Sequence, residues 1–126
     1  MNKLLRYSML WMLALISAAT NAVVIDFTQL SITKTTTGFT LDANGYSFVA
    51  EKNDGGTAPT QNGTSKDIRL YAKNSLTVSG EGMTKMVFKM SDKGLKQWGT
   101  VTADKGTVTV DVTAGTTTWV STEAVS

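Results

Sequence analysis

At 126 residues the chain has room for one domain. It has no histidine and no cysteine, which removes the usual zinc ligand sets, the Ser-His-Asp and Cys-His nucleophile arrangements, and any disulfide framework. The formal net charge is +2, and Lys3 and Arg6 carry that excess, so residues 23–126 hold ten basic and ten acidic side chains and present no overall field for nucleic acid or an anionic membrane.

The first 22 residues read as a signal peptide. Lys3 and Arg6 form a basic start, and Tyr7–Ala18 (YSMLWMLALISA) is an apolar run too short to span a bilayer as a helix. Thr20 and Ala22 supply small residues three and one before a cut. Cleavage is expected after Ala22, with Ala19 the second choice; the competing reading is a buried N-terminal helix. The expectation is therefore a signal-peptide helix over 1–22 and a single β-sandwich domain over 23–126, exported to the periplasm, cell surface or medium. Without cysteine there is no lipid anchor, so the mature protein is expected to be soluble or held by a partner, with no membrane span.

The rest of the chain is rich in threonine and glycine, with one proline, and short alternating runs recur along it. That pattern predicts an all-β, antiparallel sandwich or barrel. Strands are expected near Val23–Thr28, Phe39–Asp42, Tyr46–Glu51, Asp67–Tyr71, Leu76–Ser79, Thr84–Met90, Thr100–Ala103, Thr107–Val112 and Thr117–Val120. Turns fall at Asn44-Gly45, Asp54-Gly55-Gly56, Asn62-Gly63, Lys73-Asn74 and Gly80-Glu81-Gly82, where residues that tolerate positive φ cluster. The longest loop, Lys52–Lys66, is polar and glycine-rich, as functional or mobile loops are.

Alternation assigns the faces. Ile68, Leu70, Leu76, Val78, Met86, Phe88 and Met90 form an inward set, continued by Val24 or Ile25, Phe27, Tyr46, Phe48, Val108, Val110 and Val112. Arg69, Tyr71, Lys85, Val87 and Lys89 point outward.

Asp67–Ser91 (DIRLYAKNSLTVSGEGMTKMVFKMS) resembles a domain common in secreted and surface proteins of Bacteroidales gut bacteria. That family shows an acidic-aromatic first strand, a polar loop with Ala-Pro, a strand like VRLYAGNTLTV, and then ITKIVFTFS. Here Ile25-Asp26-Phe27-Thr28, Ala58-Pro59, Ile68–Val78 and Met83–Ser91 match in that order. The resemblance implies a jelly-roll-like sandwich that serves as an accessory module, with no established catalytic role. In the family a tryptophan near the position of Trp119 is followed by two more strands. Here the sequence ends at Ser126, so the sandwich is expected to be open on that side, with a sheet edge able to self-associate.

Three constellations are candidate ligand sites. On the outer face, Arg69, Tyr71, Lys85 and Lys89 combine a ring with cations, a set that suits a sugar bearing carboxylate or sulfate. The plainer reading of such lysines is that they keep a strand soluble and unpaired. Trp98 and Trp119 suit sugar stacking if exposed and core packing if not. The loop residues Asp42, Asn44, Asn53, Asp54 and Asn62 offer oxygens to a structural calcium, although turn chemistry explains all five. The carboxylates Asp26, Glu51, Asp67, Asp92, Asp104 and Asp111 are scattered, with no pairing for acid-base catalysis. Two functions survive: a non-catalytic binding module for a glycan or other surface ligand, and a structural or adhesive protein that pairs its sheet edge with a partner chain.

Overall fold

The computed structural model describes residues 8–17, 22–90 and 101–126. Their strands are β1 (Ser8–Ser17), β2 (Ala22–Asp26), β3 (Thr33–Lys34), β4 (Gly38–Ala43), β5 (Tyr46–Glu51), β6 (Thr60–Gln61), β7 (Ile68–Leu70), β8 (Ser75–Ser79), β9 (Met83–Met90), β10 (Thr107–Asp111) and β11 (Thr116–Val125), with one 3-10 turn at Phe27–Gln29. The fold is all-β. The larger sheet runs β10-β11-β9-β1-β7-β6, with β2 also paired to β1; the smaller runs β3-β4-β5-β8. Every pairing is antiparallel. After β5 the chain crosses to the larger sheet for β6 and β7, returns for β8, and crosses again for β9, a jelly-roll-like path. Among the described residues no helix is long and apolar enough to cross a membrane.

Local sequence explains these elements. Asn44 and Gly45 both adopt positive φ, 53° and 86°, which gives the tight turn that sets Ala43 opposite Tyr46. Alternation then buries Phe39 and Leu41 on β4, and Tyr46, Phe48 and Ala50 on β5. Register aligns Phe39 with Ala50 and Leu76, and Leu41 with Phe48 and Val78. In the larger sheet Val108, Trp119 and Met86 stand in one row, and Val110, Thr117 and Phe88 in the next. The core lies between these inner faces. Phe27 meets Phe48 edge to face, with centroids 5.2 Å apart, and joins the two sheets.

Several expectations need correction. Ser8–Ser17 is extended, where the sequence predicts a helix; an unbroken apolar run has no period to separate a buried strand from a helix. Residues 1–7 and 18–21 of the expected leader lie outside the described residues. The first domain strand stops at Asp26, because the Asp26 carboxylate accepts from the Thr28 N–H at 3.0 Å and the Thr28 hydroxyl at 2.6 Å and tightens Phe27–Gln29 into a turn. Ile25, not Val24, is the inward residue of that strand, at 1% exposure against 57%. Val112 is exposed because β10 ends at Asp111, whose carboxylate and carbonyl accept the N–H groups of Ala114 and Gly115. Val101–Ala103 form no strand, although Val101 and Ala103 pack against the core; Thr100 lies outside the described residues.

Candidate functional site

The outer face of the larger sheet gathers the basic residues. On β9, Met86, Phe88 and Met90 are buried while Lys85 and Lys89 are exposed and Val87 is half-buried. On β7, Ile68 and Leu70 are buried and Arg69 between them turns the other way. Register places Lys85 beside Val120, Val87 beside Thr118 and Lys89 beside Thr116. These continue to Thr107, Thr109 and Asp111 on β10. The result is a face of threonines and lysines, with an exposed apolar spot at Val120.

Two pieces of this face are separate. β1 lies between β9 and β7, so the line of Arg69 stands two strand spacings, about 9.6 Å, from that of the lysines. Lys85 and Lys89 are four residues apart, about 13 Å along the strand. Tyr71, directly after β7, is half-buried beside Arg69, and its backbone N–H donates to Asn74 Oδ1 at 2.9 Å. Among the described residues the buried Arg69 Nε has no hydrogen-bond partner.

The long loop is stitched to the body at both ends. Asn53, in the left-handed region at φ 52°, donates to the Lys73 carbonyl and the Ser75 hydroxyl, each at 3.0 Å. Asn62 Oδ1 accepts from the N–H groups of Thr64 at 2.8 Å and Ser65 at 3.0 Å. The Asn62 amide therefore serves its own backbone turn and the Asn53 amide ties the loop to Lys73 and Ser75, while Asp54 is exposed. Two further residues matter more here than the sequence suggests. Asn74, at 0% exposure, accepts from Tyr71 and donates to the Thr57 carbonyl at 2.9 Å and the Lys52 carbonyl at 3.5 Å. Gln61 Nε2 reaches the carbonyls of Leu30, Lys66 and Phe27 at 2.8, 3.1 and 3.2 Å. Gly55 lets this seam close, since a Cβ there would lie 2.6 Å from the Ala72 carbonyl oxygen.

Trp119 belongs to the interior. It is 7% exposed, and its indole Nε1 donates to the Lys105 carbonyl at 2.5 Å. It offers no outward stacking plane; Trp98 lies outside the described residues. Trp119 instead lines an apolar cavity of about 230 Å³ between the sheets, with Leu76, Val78, Met83, Met86 and Phe88.

The described carboxylates mostly serve local structure: Asp26 and Asp111 cap turns, and Glu51 accepts from the Thr37 hydroxyl. Among the described residues no three acidic side chains gather as metal ligands. No protein family, characterised protein or solved structure matches the chain.

Proposed function

We propose that the protein is a secreted or cell-envelope, non-catalytic binding module that takes a glycan or other surface ligand on the outer face of its larger sheet. The observation that carries this reading is Arg69. It lies on the outward parity of β7, the face that carries Lys85 and Lys89, two residues before the half-buried Tyr71, and its Nε has no hydrogen-bond partner among the described residues. Arg69 as a whole is only half-buried, and a guanidinium at a surface offers an anionic oxygen charge-assisted hydrogen bonds. The threonines of β10 and β11 add hydroxyls able to bond to those of a sugar, and Val120 beside Lys85 adds an apolar spot for C–H groups. The resemblance of Asp67–Ser91 to secreted Bacteroidales accessory modules supports the same reading.

The test is a glycan array probed with the exported protein and with its Tyr71→Ala variant. Retention of acidic or sulfated glycans by the parent, lost in the variant at unchanged melting temperature, is expected. Equal retention by both proteins, or none by either, counts against the proposal. A second reading, as a structural or adhesive protein completed by a strand from a partner, is favoured by the position of β1.

A further inference from the structure

Residues 8–17 of the expected leader's apolar run form the strand at the middle of the larger sheet. β1 pairs with β9 along one edge, with Leu10 opposite Met90, Ala14 opposite Phe88 and Ser17 opposite Lys85. Along its other edge it pairs with β7, Leu10 opposite Ile68, and with β2, Leu13 opposite Asp26. Among the described residues no other strand joins β10-β11-β9 to β7-β6 and β2.

Removing residues 1–22 therefore takes out a central strand and keeps its neighbours. The flanking strands would stand about 9.6 Å apart, twice the spacing across which strands pair. The edges of β9, β7 and β2 would each expose a row of unpaired N–H and C=O groups, and such groups are rarely left unpaired in a folded chain. The side chains on the inner flanks are apolar: Met86, Phe88 and Met90 on one side, and Ile25, Ile68 and Leu70 on the other, all buried. β1 itself shows what the slot accepts. Its sequence, SMLWMLALIS, is ten residues long, extended and without charge.

We infer that cleavage after Ala22 opens a strand slot between β9 and β7, and that in the exported protein this slot receives an extended apolar segment of another polypeptide chain, antiparallel to both neighbours. The inference rests on the export reading proposed above. Strand addition of this kind gains affinity from main-chain hydrogen bonds and specificity from alternate side chains. An entering strand would bond on both edges, where addition to an ordinary sheet edge bonds on one.

The test begins with the full chain exported from a bacterial host. Its N-terminus is read by mass, and its assembly by sedimentation. Purified material is then titrated with a peptide of residues 8–17, flanked by lysines for solubility, and with the same peptide carrying Ala14→Pro and Ile16→Pro. The expected result is a chain starting at Val23 that self-associates alone and becomes a one-to-one, monomeric complex with the parent peptide. The doubly substituted peptide should bind about 100-fold more weakly, because proline removes ladder donors. If the processed chain is recovered only as aggregate, parent peptide present during refolding should restore the soluble complex. A chain starting at Val23 that is a stable monomer and ignores the peptide overturns the slot while leaving export intact, as does refolding that the peptide cannot rescue. An exported protein that keeps Ser8–Ser17 overturns cleavage after Ala22, and the slot with it, since β1 is then a permanent strand.

Discussion

Asn74→Ala is a single truncation that should loosen the whole long loop. The Asn74 side chain is completely buried and ties three backbone groups together: the Tyr71 N–H and the carbonyls of Thr57 and Lys52. The Lys52 contact, at 3.5 Å, is at the limit of a hydrogen bond and contributes little. The other two, at 2.9 Å, leave a donor and an acceptor unsatisfied when the side chain is removed. At about 1–3 kcal/mol for each buried group, and with some water access on the Thr57 side, the loss should be about 2–4 kcal/mol. That is a large part of the 5–15 kcal/mol typical of a domain. Asn53→Ala is the control. Asn53 is exposed and makes two hydrogen bonds across the same seam, so its removal should cost about 0.5–1.5 kcal/mol. Urea unfolding of the full chain and both variants gives the comparison, and limited proteolysis should find Lys52–Lys66 cut sooner in Asn74→Ala. If Asn74→Ala lies within about 0.5 kcal/mol of the parent, as an ordinary surface change would, the loop is not held by this residue and the reasoning fails.

Three further outcomes are expected. Phe88→Ala should cost about 3–5 kcal/mol as a large core truncation, and Lys89→Ala next to it no more than about 0.5 kcal/mol; equal losses in urea titrations would refute the face assignment of β9. Gly45→Ala should cost about 1–2 kcal/mol, because the β4–β5 turn holds that residue at φ 86°, a region costly for any side chain; an unchanged melting curve would contradict the turn. Trp119→Phe should cost about 1–3 kcal/mol by leaving the Lys105 carbonyl without its donor, and a neutral result in thermal melts would show that water reaches that carbonyl.

Much of the sandwich was legible because its strands alternate cleanly. Tyr46–Glu51 has the bounds that its pattern predicts, and Met86, Phe88 and Met90 face inward while Lys85 and Lys89 face out. Short strands were not legible. Thr33–Lys34 and Thr60–Gln61 have two residues each, too few for any period to show, and they exist because β4 and β7 offer them an edge. β1 was missed for the opposite reason: its continuous apolar run suits a leader and a central strand equally. The candidate site divides in a similar way. The shared outer face of Arg69, Lys85 and Lys89 follows from parity alone. The structural roles of Asn74 and Gln61 do not, since an amide looks the same in sequence whether it caps an exposed turn or bridges buried carbonyls across the fold. Trp119 was open for a related reason: the choice between an outward platform and a core residue depends on the neighbouring strand, where Gly106 and the Lys105 carbonyl draw the indole inward.

The most direct test of ligand binding on the outer face is amide hydrogen exchange on the exported protein, with and without the acidic or sulfated glycan that it retains best. Slowed exchange should concentrate in β7 around Arg69 and Tyr71 and in β9 between Lys85 and Lys89, with Val101–Lys105 unchanged. Slowed exchange confined to Val101–Lys105, which lines the apolar cavity beside Trp119, would place the ligand between the sheets and contradict an outer-face site.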